Sequence, residues 1–182
     1  MKVVSTRAPA VQEQLNAGKN VFLIAGTLRP ETMYGQTNCW IHPTMPYGLF
    51  TMKNGELVVC TQRCANNMVY QELLQDAPVD RKAVCLATVT GKELLGTALH
   101  APLSLNETIY VLPMDTILET KGTGVVTCVP SDSPDDYMNF HTLKSKPEYR
   151  KKVGVEDEWV CPFDIIEICE IPELGRRAAQ KV

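Results

Sequence analysis

The chain lacks any apolar run that approaches the length of a membrane span. A transmembrane helix needs about 20 consecutive, mostly apolar residues, and polar, charged, proline or glycine residues interrupt every apolar stretch of this 182-residue sequence well before that length. The first ten residues, M-K-V-V-S-T-R-A-P-A, also lack the continuous apolar core of a secretory signal. These absences predict a soluble protein of the cytoplasm with no membrane partner.

The sequence also lacks a paired arrangement of cysteines and a run of histidines. Its seven cysteines are scattered, with Cys60 and Cys64 as the only close pair, and its three histidines, His42, His100 and His141, are far apart. A disulfide framework or a zinc site needs short, regular spacings. The pattern therefore predicts reduced thiols that pack as small hydrophobic side chains, and no metal site.

Positive charge is in short supply as well. The formal net charge is −3, whereas a protein that grips long nucleic acids by their phosphates needs clustered lysine and arginine. This excludes extensive binding of a duplex, but it leaves open the recognition of one terminal nucleotide by stacking and hydrogen bonds. No Ser-His-Asp order and no Walker loop is present. A hydrolase built from this sequence would have to position a water molecule.

What the sequence does contain is a polar stretch behind a buried strand. The residues G-T-L-R-P-E-T-M-Y-G, Gly26–Gly35, follow the apolar run Val21–Ala25, and we call them the first elbow. Pro30 suits the first turn of a helix, and Glu31 suits the dipole of that turn. The pattern predicts a strand, a tight turn and a short helix.

A second stretch repeats this design. The apolar run Val125–Val129 follows the turn Gly122-Thr123-Gly124 and leads into P-S-D-S-P-D-D, Pro130–Asp136, which we call the second elbow. Ser133 is placed to cap a helix, Pro134 to begin it and Asp136 to close a capping box. The helix is predicted to continue to about residue 144.

The other segments are mostly short strands. Lys53-Asn54-Gly55 predicts a hairpin between strands at 47–52 and 56–61. A helix is predicted over 62–75, with Met68, Leu73 and Leu74 on its inner side. The further predictions are strands at 38–42, 83–89, 95–103, 108–113 and 163–168, a charged surface excursion at 144–158 and a disordered or linker tail at 175–182.

This order of elements predicts an α+β fold with a mixed or antiparallel, β-barrel-like core decorated with short helices. The length fits one domain over residues 1–182. If the strands before the two elbows are neighbours, the elbows meet over one cavity. They would then present Thr27, Arg29, Thr32, Asp132, Asp135 and Asp136 beside backbone N–H groups.

A purely structural interpretation of these residues stays open at this point. Thr27 and Thr32 suit turns and caps, Asp136 suits a capping box, and Arg29 suits a solvated surface. Spacing alone does not separate the two interpretations.

Two long motifs resemble one known family. Gly26–Gly35 resembles the threonine-rich motif of the editing (CP1) domain of leucyl-tRNA synthetase, of the archaeal and eukaryotic cytosolic type. Gly122–Asp136 resembles the GTG and aspartate motif of the same domain, and Gln36–Trp40 and Tyr110–Met114 are also similar to it. The resemblance covers about residues 19–172. The synthetic signatures HIGH and KMSKS are absent, so an excised domain is implied.

The resemblance implies hydrolysis of the ester that joins a wrong amino acid, such as isoleucine, valine, methionine or norvaline, to the terminal adenosine of tRNA-Leu. A synthetic pocket separates side chains that differ by one methylene by only about 1–3 kcal/mol, a magnitude that the sister synthetases for isoleucine and valine illustrate, so a second sieve is needed. Partners implied are this adenosine and the rest of the synthetase, together with boron-containing inhibitors that form adducts with adenosine. No cofactor is implied in this domain, because ATP serves the absent synthetic part.

The resemblance also assigns roles to single residues. Asp136 would pair with the α-ammonium of the substrate, and Thr32 would exclude leucine by a rigid methyl wall. Thr27 would hold the water or the ester oxygen, and Arg29 would lie near the adenosine phosphate or order the elbow. Further substrate contacts are assigned to Leu28, Met33, Tyr34, Val126, Thr127, Val129, Asp132 and Asp135; packing is an equal or better account of Met33 and Tyr34.

Two alternatives remain. Valyl- and isoleucyl-tRNA synthetases carry related inserted domains, and the valyl version shares a T-x-R-P-E-T stretch. Ser131–Pro134, where valyl enzymes usually have histidine and aspartate, resembles the leucyl pattern. A module that binds aminoacyl-adenosine without hydrolysing it is the other alternative.

Overall fold

The computed structural model describes residues 1–75 and 82–182. Short strands dominate this part of the chain. They are β1 (Lys2–Ser5), β2 (Val21–Leu23), β3 (Asn38–Ile41), β4 (Pro46–Thr51), β5 (Leu57–Cys60), β6 (Ala87–Thr90), β7 (Ala98–His100), β8 (Ile109–Pro113) and β9 (Val125–Cys128).

These strands form one mixed sheet in the order β6-β4-β5-β2-β1-β7-β8-β3-β9. Two neighbouring pairs are parallel, β2 with β5 and β3 with β8, and the others are antiparallel. The predicted mixed sheet with short helices is confirmed. Within the described residues the sheet is open, with β6 and β9 as its edges, so it does not close into a barrel.

Five α-helices and three 3₁₀ helices surround the sheet in the described ranges. The α-helices are α1 (Pro9–Asn16), α2 (Gln62–Tyr70), α3 (Gly91–Leu94), α4 (Pro134–Ser145) and α5 (Pro147–Val153), and the 3₁₀ helices span Pro30–Gly35, Asp157–Trp159 and Ala178–Gln180. None of them is long and apolar enough to span a membrane.

The main core takes side chains from both faces of β3 and from one face of β4. Alternate side chains of a strand point to opposite faces, and β3 and β4 supply large, fully buried residues such as Trp40, Ile41, Tyr47 and Leu49. A smaller cluster on the other face of β4 packs α2 against β4 and β5 around Phe50. Burial of this apolar surface is the main favourable contribution to folding.

The predicted hairpin is confirmed, since β4 and β5 pair antiparallel with Leu49 opposite Val59. The helix predicted over 62–75 is shorter than expected. α2 ends at Tyr70, and Glu72 takes a left-handed φ of 60° that breaks the helix. Met68 and Leu74 are buried as predicted, although Leu74 lies beyond the end of α2, whereas Leu73 is exposed.

Three further predictions are corrected. The segments predicted as strands at 83–89 and 95–103 form strands only over Ala87–Thr90 and Ala98–His100. Residues 76–81, which precede them, lie outside the described part. No strand forms at 163–168; instead, Ile166 and Ile168 line a cavity together with Thr32 and Asp132. The charged 144–158 stretch lies mostly at the surface, as predicted, but it is helical over α5.

Arg150 explains why that stretch folds back. Its guanidinium is buried, donates to the carbonyls of Leu143 and Lys144 at 2.7 and 2.9 Å, and pairs with Asp157 at 2.8 Å. Carbonyls at the end of α4 would otherwise have no partner. A basic residue that looks solvated in the sequence is therefore the link between α4, α5 and the following turn.

Cysteine burial follows the prediction only in part. All seven thiols are free; Cys39, Cys60, Cys64 and Cys128 are buried, and the remaining three are exposed or half-buried. Burial raises the pKa of the Cys39 thiol to about 12, so that thiol stays protonated.

Near the C-terminus, Ala178 and Ala179 are buried, and the Ala179 N–H donates to the carbonyl of Ser131 at 3.1 Å.

The two elbows come together by a different route from the predicted one. β2 and β9 are not neighbours in the sheet. Instead, the first elbow leads directly into β3, which pairs antiparallel with β9, and the Thr37 N–H donates to the Cys128 carbonyl at 3.2 Å. A Cβ on Gly35 would lie 3.3 Å from Val129, so the end of the first elbow packs tightly on the start of the second.

Candidate active site

The elbows line two cavities. The first cavity has a volume of about 560 Å³ and takes Arg29, Thr32 and Tyr34 from the first elbow and Asp132 from the second. Its remaining wall is largely apolar, from Leu105, Ile166, Ile168 and Ile171. This combination of apolar walls and a few polar groups is typical of small-molecule sites.

The second cavity is smaller, about 390 Å³, and it holds the buried carboxylate. Gly26 from the first elbow and Ser133, Asp135 and Asp136 from the second elbow line it. The 114–126 region supplies the rest of the wall, with the apolar residues Met114, Ile117, Leu118, Val125 and Val126 and the polar residues Thr116, Lys121 and Thr123. Thr32 and Asp136 thus line different cavities, and both elbows contribute to each cavity.

Asp136 is held by two N–H donors. The indole Nε1 of Trp40 donates to Oδ1 at 2.9 Å, and the backbone N–H of Val129 donates to Oδ2 at 2.9 Å. Ser133 caps α4 as predicted, because its Oγ accepts the Asp136 N–H at 3.4 Å. The predicted capping-box role of the Asp136 carboxylate is wrong, since that carboxylate turns towards β3 and β9 instead.

Burial makes this carboxylate electrostatically unusual. The side chain is only 6% exposed, and this desolvation raises the pKa of Asp136, while the bonds from Val129, Trp40 and Ser133 act in the opposite direction. A carboxylate has about four acceptor positions. The contacts from Trp40, Val129 and Ser133 do not use all of them, so acceptor capacity remains on a carboxylate that lines the second cavity.

The first elbow is ordered by its own threonines. Thr27 Oγ1 accepts the Arg29 N–H at 3.0 Å, and Thr32 Oγ1 donates to the Arg29 carbonyl at 2.7 Å. Both threonines therefore have the turn and capping contacts that the structural interpretation predicts. Thr32 also lines the first cavity, so its hydroxyl contact fixes a side chain at a cavity wall.

The other predicted residues lie around these cavities. Leu28 is fully exposed and Tyr34 is half exposed, whereas Met33 and Val129 are buried. Thr127 lies in β9 opposite Cys39 of β3. Thr27, Leu28, Met33, Thr127 and Val129 line neither cavity.

Sequence reasoning missed several site residues. Trp40 was noted only as part of a motif, and nothing in its spacing indicated a bond to a residue 96 positions away. Cys169 also went unnoticed; its Sγ donates to Asp132 Oδ1 at 2.9 Å, and this bond raises the pKa of the Cys169 thiol. Ser131 bonds the other oxygen of Asp132. Only the fold brings these groups together.

No group of three or more histidine, cysteine, aspartate or glutamate side chains is placed to hold a metal ion within residues 1–75 and 82–182. The chemistry of the two cavities is that of carboxylates, threonine hydroxyls, one arginine and backbone N–H groups.

Comparisons with known proteins point to one family. No family model matches the chain. The chain is 50% identical over 179 residues to the cytoplasmic leucine–tRNA ligase of Dictyostelium discoideum, which covers 98% of this chain and 17% of that protein. It is 51% identical over 165 residues to the cytoplasmic leucine–tRNA ligase of Arabidopsis thaliana, with 91% and 15% covered. The chain thus spans about a sixth of the length of these relatives.

Solved structures agree with the sequence comparison. The crystal structure of GlLeuRS-CP1 superimposes with a TM-score of 0.86 at 38% identity, covering 94% of this chain and 63% of that one. The editing domain of the P. knowlesi cytosolic leucyl-tRNA synthetase has the same fold, with a TM-score of 0.85 at 24% identity, covering 99% and 72%. The chain belongs to the family of leucyl-tRNA synthetase editing (CP1) domains of the cytosolic type.

Proposed function

We propose that this domain hydrolyses the aminoacyl ester of mischarged tRNA-Leu after transfer, with isoleucine, valine, methionine and norvaline as the amino acids removed. The observation that carries the proposal is Asp136, a buried carboxylate fixed by two N–H donors at the wall of a cavity. The family to which the chain belongs suggests the substrate class of that site, because the relatives are leucine–tRNA ligases.

Asp136 would anchor the α-ammonium of the aminoacyl group. A charge-assisted hydrogen bond to an ammonium is short and directional, and the Asp136 carboxylate, which lines the second cavity, has unused acceptor positions. Fixing the amine places the ester carbonyl at a set distance from the anchor, which lowers the entropic part of the barrier to water attack. Asp136 then orients the substrate and does not attack it.

The two cavities would form one binding region for aminoacyl-adenosine. Gly26 and Thr32 are six residues apart on the first elbow, and Asp132 and Asp136 are four residues apart on the second. Each elbow thus reaches from one cavity to the other. An amino acid held at Asp136 extends along the first elbow towards Thr32.

Thr32 would reject leucine in this arrangement. Leucine and isoleucine are isomers, so volume alone does not separate them, and the site must detect where the side chain branches. Thr32 is β-branched, and its hydroxyl is fixed on the Arg29 carbonyl, so its methyl has few alternative positions. Thr27 would hold the water or the ester oxygen, and Arg29 would contact the adenosine phosphate from the exposed side of the elbow.

The reaction assigned to this domain is ester hydrolysis: water adds to the carbonyl carbon, the bond to the ribose oxygen breaks, and that oxygen takes a proton. The vicinal ribose hydroxyl helps to position the water. No cofactor is assigned to the domain, and ATP would serve the synthetic part of the enzyme. The partners are the terminal adenosine of tRNA-Leu and the rest of a cytoplasmic leucyl-tRNA synthetase. Boron-containing compounds that trap the ribose diol would also bind here.

Deacylation assays test this function. Isoleucyl-tRNA-Leu should be hydrolysed by the domain, or by the synthetase that contains it, while leucyl-tRNA-Leu survives. Hydrolysis of mischarged tRNA-Val instead would identify the valyl relative. Binding of an aminoacyl-adenosine analogue with no hydrolysis of any charged tRNA by the full synthetase would show a non-hydrolytic module.

A crystal soaked with an adenosine 3′-ester analogue tests the placement of the substrate. We expect its amine at Asp136 and its side chain directed to Thr32, with density across both cavities. Density confined to the first cavity, with no contact to Asp136, would contradict the anchor.

A further inference from the structure

Trp40 is the least expected member of the site. It lies in β3, is fully buried and donates its only polar hydrogen to Asp136. Tryptophan has one N–H donor and no acceptor. A buried indole usually finds a hydrogen-bond partner, and here the partner is an ionisable carboxylate on a helix, 96 residues further along the chain.

Three contacts fix Asp136 from different elements. The Trp40 indole N–H donates to the carboxylate from β3 and the Val129 N–H donates to it from the end of β9, while Ser133 Oγ accepts the Asp136 backbone N–H at the cap of α4. Each carboxylate oxygen accepts one N–H, so rotation about the last side-chain bond would break both bonds. The remaining acceptor positions are thereby held in one direction.

Other charged groups near Asp136 do little to keep it ionised. Asp135, on the same helix, carries a like charge and disfavours the ionised form. Cys128, on β9, is buried beside it, and both burial and the Asp136 charge raise the pKa of that thiol, so it stays neutral. Lys121 is the only lysine that lines the second cavity among the described residues. N–H donors, not a paired cation, must therefore offset the cost of burying this charge.

We propose that Trp40 is a positioning residue for the editing reaction: its indole N–H keeps the Asp136 carboxylate ionised and aimed into the second cavity. The catalytic part of this inference rests on the proposed function, but the hydrogen bond and its electrostatic effect do not. Trp40 itself touches no substrate.

The indole signals of the wild-type chain give a test that needs no activity. The chain has two tryptophans, so a ¹⁵N-labelled sample shows two indole N–H signals, and Trp159→Phe assigns them. On acidification the Trp40 signal should shift as Asp136 takes up a proton, while the Trp159 signal stays still. In Asp136→Asn this titration should disappear. If the chemical shifts of both indole N–H groups stay constant with pH in the folded wild-type protein, the inference is overturned.

The pH–rate profile of deacylation tests the catalytic part. Trp40→Phe removes the N–H and keeps an aromatic ring, and Trp159→Phe makes the same change at another buried tryptophan. We expect Trp40→Phe to move the acid limb of the profile to higher pH and to lower the rate at that limb roughly tenfold, as loss of a hydrogen bond to a charged group predicts. Trp159→Phe should leave the limb in place.

An acid limb that is unchanged in folded Trp40→Phe would overturn the inference. If Trp40→Phe does not fold, the indole titration of the wild type decides alone. If the indole of Trp40 titrates but the full synthetase hydrolyses no mischarged tRNA, the proposed function fails while the hydrogen bond to an ionised Asp136 stands.

Discussion

The phenol of Tyr47 donates a 2.6 Å hydrogen bond to the carbonyl of Gly124. The same oxygen accepts the His42 N–H at 3.0 Å. Tyr47 lies in β4 and Gly124 lies in the Gly-Thr-Gly turn before β9, so this bond ties the turn that precedes the second elbow to the opposite half of the sheet. The position of the second cavity thus depends on a buried hydroxyl that is distant from it in sequence.

Tyr47→Phe should lower stability and remove an alkaline pH dependence. It leaves a buried carbonyl and N–H without their partner, which costs about 1–3 kcal/mol for each unsatisfied group. Burial raises the pKa of Tyr47 to about 12 from 10.0. The unfolded chain therefore ionises first, and the wild type should lose stability as the pH rises from 10 towards 12.

Denaturant unfolding at several pH values checks this. In the Tyr47→Phe variant, the free energy of unfolding should fall less between pH 10 and pH 12 than it does in the wild type. Tyr70→Phe, at an exposed tyrosine, serves as the control, and an equal effect of both changes would refute the role of Tyr47.

Gly124→Ala should be far more harmful than Gly122→Ala. Both glycines have positive φ, +78° and +60°, so both substitutions carry backbone strain of about 1 kcal/mol or more. A Cβ on Gly122 meets nothing within 4 Å, whereas one on Gly124 would lie 2.5 Å from Thr61 Cγ2 and 3.1 Å from Tyr47. We expect Gly124→Ala to cost at least about 3 kcal/mol by overpacking as well. Similar melting temperatures for the two variants would contradict the close packing of the turn.

Asp136→Ala should abolish hydrolysis of isoleucyl-tRNA-Leu and also lower stability. It removes the proposed amine anchor and leaves the Trp40 and Val129 N–H groups without partners, at about 1–3 kcal/mol each. The domain should still fold, which circular dichroism can verify, with a melting temperature lower by several degrees. Glu148→Ala is the control, because it removes an exposed carboxylate of α5 that lines neither cavity. Normal deacylation by folded Asp136→Ala would remove the anchor from the mechanism.

Thr32→Ala should allow the domain to hydrolyse leucyl-tRNA-Leu. The reason is loss of the methyl wall, so Thr32→Val, which keeps the branched shape and loses only the hydroxyl, is the decisive comparison. If the methyl excludes leucine, the valine variant protects leucyl-tRNA-Leu and the alanine variant does not. If both variants strip leucine equally, the hydroxyl contact to Arg29 is what matters, and the wall hypothesis is wrong.

Arg150→Met should destabilise the domain by about 1–3 kcal/mol for each carbonyl at the end of α4 that it leaves without a donor, whereas the partner Asp157 is exposed and contributes less. It leaves Asp157 and the carbonyls of Leu143 and Lys144 without their donor. Lys151→Met breaks only an exposed pair with Glu148 and should change stability by less than about 1 kcal/mol. Chemical denaturation of both variants measures the difference; equal midpoints would contradict the structural role of Arg150.

Prolines, cap residues and turn residues in the sequence predict where short helices begin and where strands are connected. Pro30 begins the short helix of the first elbow, Ser133 caps α4, and Lys53-Asn54-Gly55 connects β4 to β5, all as predicted. The helix over 62–75 was overextended because the break at Glu72, a residue with positive φ, has no sequence signal. The prediction of a charged surface stretch at 144–158 misses the burial of Arg150, because charge in a sequence does not reveal whether a side chain finds buried acceptors.

The sequence alone determined the family, the two elbows and the order of short strands, because motifs, caps and turns act over a few residues. Only the tertiary structure decided which residues those elbows meet. The pairing of β3 with β9 brings Trp40 to Asp136 and separates Asp136 and Thr32 into two adjoining cavities. Such contacts depend on strand order and register across the whole sheet, and residues 96 positions apart leave no periodic trace of their contact in a single sequence.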